Sequence, residues 1–152
     1  MAHPLIETTG IDHAGINVPD ADEAAAFFEE LFGTRVISDM RPGAVDGEWK
    51  RRFRWHPSAE IRRIVMLEVR DGSKIELFEY SAPDAAEDHP HGDDPGANHV
   101  AFKAADPEKA IAALKARGLS ILNDPLPGPA GSLWFYFLTP WGSQLELVFP
   151  AQ

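Results

Sequence analysis

The chain has no cysteine among its 152 residues, which removes both a disulfide framework and thiolate chemistry. Any metal site must therefore be built from His, Asp and Glu. Positive charge is also scarce. Fourteen Lys and Arg stand against 24 Asp and Glu, for a net charge of -10. This argues against nucleic acid as the main partner, because phosphate binding needs a broad basic face. An anionic membrane surface suits the chain no better. No apolar run approaches the roughly 20 residues of a membrane span. The opening Met1-Ala2-His3-Pro4 lacks the basic-then-apolar pattern of a secretory leader. A soluble, cytoplasmic protein is the expectation. What the chain does have is a hydrophobic fraction of 44%, ordinary for a packed core, and a length that suits one domain or two small fused modules.

Hydrophobic periodicity maps the elements. Ile11 to Val18 reads as a strand, and Pro19-Asp20-Ala21-Asp22 as a turn and acidic helix start. The helix that follows carries Ala24, Phe27, Phe28, Leu31 and Phe32 on one stripe and stops at Gly33. Strands are expected at Thr34 to Met40, Ile61 to Val69 and Lys74 to Tyr80, the last two joined by an Asp71-Gly72 turn. Residues 81–97 are polar and proline-containing, a linker or surface loop. The pattern then restarts with a strand at Ala97 to Lys103 and a helix from Asp106 to Arg117, with Pro107 in its first turn and Gly118 as its stop. Further strands are expected at Leu119 to Leu122, Leu133 to Leu138 and Gln144 to Phe149. The segments Pro42 to Pro57 and Asn123 to Ser132 read as loops of the kind that close over a site.

The order is βαβββ twice over, which gives an α+β fold. The first module covers 9–81, the linker 82–96 and the second module 97–150, within one domain spanning 1–152. The repeat extends to residue types. Each module opens on a histidine, His13 after Ile11-Asp12 and His99 after Ala97-Asn98. Each closes on a glutamate between two aliphatics, Ile75-Glu76-Leu77 and Leu145-Glu146-Leu147. Taken singly, such a His is more often a hydrogen-bonded structural residue, and such a Glu a solvated one. All four at matching places argue for a joint role. Strand alternation sends each Glu to the face opposite its apolar neighbours. A carboxylate there is costly unless a cation compensates it, and a divalent metal does so. Mixed nitrogen and oxygen donors suit zinc, nickel, cobalt, manganese or iron(II). His56, and His89-Pro90-His91 in its acidic stretch, have no repeat partner, so a surface reading is better for them.

The stretch from Ile11-Asp12-His13 to Pro19-Asp20-Ala21-Asp22-Glu23-Ala24, and Pro140-Trp141-Gly142 followed by Gln144-Leu145-Glu146-Leu147, resemble the opening and closing signatures of the vicinal oxygen chelate superfamily. That superfamily includes glyoxalase I, methylmalonyl-CoA epimerase, extradiol dioxygenases, fosfomycin-resistance enzymes and bleomycin-binding proteins. The resemblance covers nearly the whole chain. It implies two paired βαβββ modules forming a curled sheet around a central site with one divalent metal ion. It places His13, Glu76, His99 and Glu146 at the four metal positions, and it implies a homodimer.

Three reaction classes follow from this resemblance. The first is proton transfer beside a carbonyl, as in glyoxalase I and the epimerases. The substrate carries vicinal oxygens, and Glu146 or Glu76 is the base. The second is an extradiol-type dioxygenase, against which the fourth ligand argues. The third is a binding protein of the bleomycin-resistance type, against which the full ligand set argues. The separate base of methylmalonyl-CoA epimerases falls at Ile64 or a neighbour here, and neither Glu68 nor Glu48 replaces it cleanly.

Lys50-Arg51-Arg52-Phe53-Arg54-Trp55, with Arg62 and Arg63 after it, concentrates positive charge in an acidic chain. It reads equally as recognition of an anionic substrate group through Arg52 and Arg54, with Trp49 or Trp55 covering the pocket, and as a solvated loop pairing with the many acidic side chains. Of Trp134, Phe135, Tyr136 and Phe137, the polar-tipped Trp134 and Tyr136 are the expected cavity pair.

Overall fold

The computed structural model describes residues 5–6, 8–86 and 88–151; the opening tetrapeptide read for a leader lies outside the described residues. Two units are distinguished, one ending at Ala85 and the next beginning at Ala86. Among the described residues, no helix is long and apolar enough to cross a membrane.

In the first unit, strand β1 (Ala14–Val18) leads into helix α1 (Ala21–Phe32). The Asp20 carboxylate caps α1 by accepting from the N–H groups of Asp22 and Glu23. Gly33 ends the helix at φ 65°, a left-handed conformation that costs glycine little. Strands β2 (Arg35–Met40), β3 (Glu60–Glu68) and β4 (Lys74–Ser81) follow, with a short helix α2 (Gly47–Arg52) between β2 and β3. The sheet order is β1-β4-β3-β2. β1 runs parallel to β4, and the other pairings are antiparallel. Helix α1 buries Ala21, Ala24, Phe27 and Phe28 against β3 and β4. Val65, Leu67, Ile75 and Leu77, each no more than 2% exposed, are the sheet's contribution to that core. Burial of each such side chain is worth about 1.5–3 kcal/mol, which fixes which face meets the helix.

The second unit repeats this plan with β5 (Val100–Lys103), α3 (Pro107–Ala116), β6 (Leu126–Pro127), β7 (Leu133–Leu138) and β8 (Gln144–Phe149) in sheet order β5-β8-β7-β6. β5 is parallel to β8. Phe135, Phe137, Leu145, Leu147 and Phe149 are core, and Trp134 and Tyr136 lie half-buried on the opposite face, as the alternation predicts.

Three expectations need correction. The strands expected from Ile11 and Ala97 begin at Ala14 and Val100, so His13 and His99 each sit one residue before regular pairing starts. Leu119 to Leu122 is not a strand. It meets β7 through an isolated bridge at Ile121, after which the Asn123 side-chain oxygen takes the Tyr136 N–H that a ladder would use. The short edge strand β6 forms beyond it, inside the expected loop. Pro42 to Pro57 is not all loop, because Asp46 caps α2 by accepting from the Trp49 N–H.

Of the two readings of the basic cluster, Arg63 follows the one in which it pairs with the chain's own acidic side chains. Its side chain is 12% exposed and pairs with both oxygens of Asp39 at 2.8 Å and with Asp22 at 2.6 Å. It thereby ties β3 to β2 and to the first turn of α1. The Arg63 guanidinium holds the Asp39 carboxyl below the usual aspartate range, outweighing the small cost of burial. A depressed folded value contributes stability above the unfolded value of about 3.9 and loses it as pH falls through the folded value. Asp39→Asn is therefore expected to lower stability at pH 7, with the gap to the parent closing as the pH is taken well below about 4. Urea denaturation across that range checks it, and a gap that persists undiminished in acid would contradict the assignment.

Candidate metal centre

Parallel pairing of β1 on β4 sets Gly15 against Glu76. His13, two residues earlier, meets the same carboxylate, Nε2 to Oε2 at 3.1 Å. The other ring nitrogen, Nδ1, lies 2.9 Å from Asp12, whose second oxygen accepts from Lys74 Nζ at 2.8 Å. Lys74 first, and His13 second, hold the Asp12 carboxyl below the usual range. An ionised Asp12 accepts only, so His13 donates in the Nδ1 contact, and Nε2 is the ring nitrogen turned to Glu76. Asp12 was missed in the sequence, although the Asp-His dipeptide was its signal.

The second unit builds the same pair at the same register. Ala101 opposes Glu146, as Gly15 opposes Glu76. His99, two residues before Ala101, places Nε2 2.9 Å from Glu146 Oε2. The exposures match as well. The glutamate side chains are 16% and 15% exposed, and the histidines 38% and 37%. The surroundings differ. Tyr136 opposes Glu146 across the ladder and sets its ring edge-on to His99 at 5.0 Å, with Trp134 against Tyr136 at 5.0 Å. Met66 holds the corresponding place opposite Glu76.

The structure thus shows the four candidate ligands as two pairs, one in each unit. Among the described residues, no single group of three or more His, Asp or Glu side chains stands together in a metal-holding arrangement. The donor chemistry of each pair nonetheless fits a divalent ion. An imidazole nitrogen and a carboxylate oxygen are turned toward one another, the carboxylate is mostly withdrawn from water, and each pair supplies one nitrogen and one oxygen.

The residues expected to meet substrate fall in two groups. Arg52 is exposed and pairs with Glu48 one helical turn away. Arg54 follows in a left-handed conformation, φ 59°. Lys50 Nζ donates to the Pro57 carbonyl at 3.1 Å. Glu68, weighed as a base, pairs with Arg35 at 2.8 Å. Trp55 stands edge-on to Tyr80 at 5.2 Å and belongs to an unbroken series of rings from Trp49 through Phe53, Trp55 and Tyr80 to Phe78. Phe78 and Tyr80 follow Glu76 by two and four residues, on its face of β4. As for the other histidines, His56 lies 4.0 Å from Asp84, and His89 contacts the Trp141 carbonyl at 2.5 Å. His91 presents its backbone N–H to Asp94.

Burial first, and the Glu76 charge second, raise the Tyr80 phenol above the usual tyrosine range. In a Tyr136→Phe background, Tyr80 is the single tyrosine and its ionisation reads directly at 295 nm. It should titrate above free tyrosine, and Glu76→Gln should bring it part of the way back, since the larger cause remains. No response to Glu76→Gln would show that the two groups do not share a field.

Comparison with known proteins agrees with this architecture. The family model described as the Glyoxalase/Bleomycin resistance protein/Dioxygenase superfamily matches residues 10–147. A 2-epi-5-epi-valiolone epimerase from Actinomyces sp. is 38% identical over 143 residues, covering 91% of this chain and 78% of that protein. A glyoxalase family protein from Bacillus cereus shares the fold with a TM-score of 0.76 at 23% identity, over 99% of this chain and 100% of the other. The fosfomycin resistance protein FosX of Listeria monocytogenes, in complex with Mn(II) and sulfate, aligns with a TM-score of 0.62 at 16% identity, over 95% of each chain. With nearly all of its length matched by the family model, the chain belongs to the glyoxalase, bleomycin resistance protein and dioxygenase superfamily, also called the vicinal oxygen chelate superfamily.

Proposed function

We propose that the chain is a metal-dependent epimerase that inverts the stereocentre beside a ketone. The observation that carries this reading is the pair of equivalent His–Glu contacts at one register in two modules. The epimerase relative supports the reaction class. His13 and His99, through Nε2, and Glu76 and Glu146, through their carboxylates, would hold one divalent ion. When bound, such an ion supplies Lewis-acid stabilisation of the negative charge that develops on two neighbouring substrate oxygens.

The chain's own residues do the rest. Inversion removes a proton from one face of a carbon and returns one to the other. Two carboxylates from two modules provide two groups for that transfer, and Glu146 and Glu76 are assigned to it. Asp12 orients the His13 ring through Nδ1, and the Tyr136 ring packs edge-on to His99. The substrate is a small molecule with vicinal oxygens. The epimerase relative favours this class over an iron(II) dioxygenase and over a non-catalytic binding protein. A homodimer is proposed as the working form.

The first substrate to assay is 2-epi-5-epi-valiolone, in heavy water. Epimerisation with deuterium entering at the inverted carbon is expected. Glu76→Gln and Glu146→Gln should each lower the rate by about 10²-fold or more. His99→Ala should lower metal content at the same time. Oxygen uptake with catechols and no deuterium exchange would replace this reading with the dioxygenase. Metal content unchanged in both Glu76→Ala and His99→Ala would remove the four-ligand assignment.

A further inference from the structure

The two His–Glu pairs share a register, but what stands behind each histidine differs in charge. In the first unit Asp12 meets His13 Nδ1 at 2.9 Å, and Lys74, the first residue of β4, holds the other Asp12 oxygen at 2.8 Å. Lys74, Asp12, His13 and Glu76 thus form one series, each in contact with the next. In the second unit the same places are neutral. Asn98 precedes His99 as Asp12 precedes His13, and Gln144 stands two residues before Glu146 as Lys74 does before Glu76. The Asn98 amide turns back and donates to the Gly96 carbonyl at 3.0 Å. Gln144 sets its side-chain oxygen beside Gly92. Among the described residues, the Nε2 contact with Glu146 is the only side-chain hydrogen bond of His99.

This difference bears on how strongly each imidazole can hold a cation. A carboxylate that accepts from the far nitrogen of an imidazole makes the near nitrogen a better donor to a metal and fixes the ring's aim. Asp12 is placed to do both for His13. Its side chain is otherwise open to water, and the Lys74 contact keeps it in position. An amide engaged with its own loop does neither for His99.

We propose that the metal centre is built unequal, with His13 and Glu76 as its firm half and His99 and Glu146 as its yielding half, and that Asp12 and Lys74 are the positioning residues that make the first half firm. The proposal rests on the metal-dependent reading above and adds a division of labour between the modules. Of the two carboxylates assigned to proton transfer, Glu146 is the one with less hold on the ion. The internal comparison carries the argument, because the two pairs match in register, contact and exposure and differ in the charge behind the histidine.

Zinc(II) titrated into the metal-free full chain, against a competing chelating dye, reads the affinity of each variant. Asp12→Asn should weaken zinc binding about tenfold, and Lys74→Gln should weaken it in the same direction by less. Asn98→Ala, the equivalent change in the second unit, should leave the affinity within about twofold of the parent. His13→Ala should cost more than His99→Ala, and Glu76→Ala more than Glu146→Ala. In a His13→Ala background, Asp12→Asn should cost nothing further, because Asp12 acts through the ring. A cost for Asp12→Asn that is equal in both backgrounds would mark the Asp12–Lys74 contact as a structural tie and overturn the proposal. So would equal costs for His13→Ala and His99→Ala. A parent chain that takes up no zinc removes the metal-dependent reading itself, whereas zinc held equally by both halves keeps that reading and removes only their inequality.

Discussion

Parallel pairing at one fixed register, β1 on β4 and β5 on β8, is the constraint on which the rest of the structure depends. A parallel pair cannot be joined by a tight turn and needs a crossover. Helix α1 with β2 and β3, and α3 with β6 and β7, supply that chain length. The crossover also brings the beginning of each module beside its end, and only then do His13 and Glu76, or His99 and Glu146, meet. The aliphatics on either side of each glutamate lock the register. A slip of one residue would turn Ile75 and Leu77 out of the core and drive Glu76 into it. Core packing, worth several kcal/mol per strand, thereby positions a carboxylate that the core itself cannot hold.

On this shared frame the two modules have diverged in what surrounds the pair. The first sets a carboxylate behind its histidine, Asp12 tied to Lys74, and runs aromatic rings along β4. The second puts its aromatics on β7, with Tyr136 braced on His99 and Trp134 braced on Tyr136. The elements that carry the shared donors are those with the strictest register. The elements that differ lie one strand or one residue pair away, where side-chain identity is free of the core.

The repeat, the element order and the two-faced strands were legible in the sequence because core burial imposes a period of two on β4, β7 and β8 and a helical stripe on α1. The sorting of Phe135 and Phe137 from Trp134 and Tyr136 was legible for the same reason. What was not legible depends on single hydrogen bonds or on distant partners. Helix α2 is nucleated by the Asp46 cap inside a proline- and glycine-containing stretch with no buried stripe to reveal it. The expected strand at Leu119 to Leu122 has the right composition, but Asn123 diverts a ladder hydrogen bond to its side chain. Pairing with the chain's own acidic side chains was one of two readings for Arg63. Which partners it takes depends on the register irregularity between Ile61 and Arg63 and on the carboxylates of Asp22 and Asp39. Phe78 and Tyr80 followed from the alternation that singled out Glu76, but their nearness to His13 depends on Gly15, which only the strand pairing reveals.

The central claim is that two His–Glu pairs, one from each module, serve one ion. X-ray absorption spectroscopy of the metal-loaded protein, with metal counted per chain in the same sample, tests it most directly. The account predicts one ion per chain in a mixed nitrogen and oxygen shell that contains two imidazoles. Two ions per chain, or a shell with a single imidazole, would mean that each pair acts alone and would contradict it.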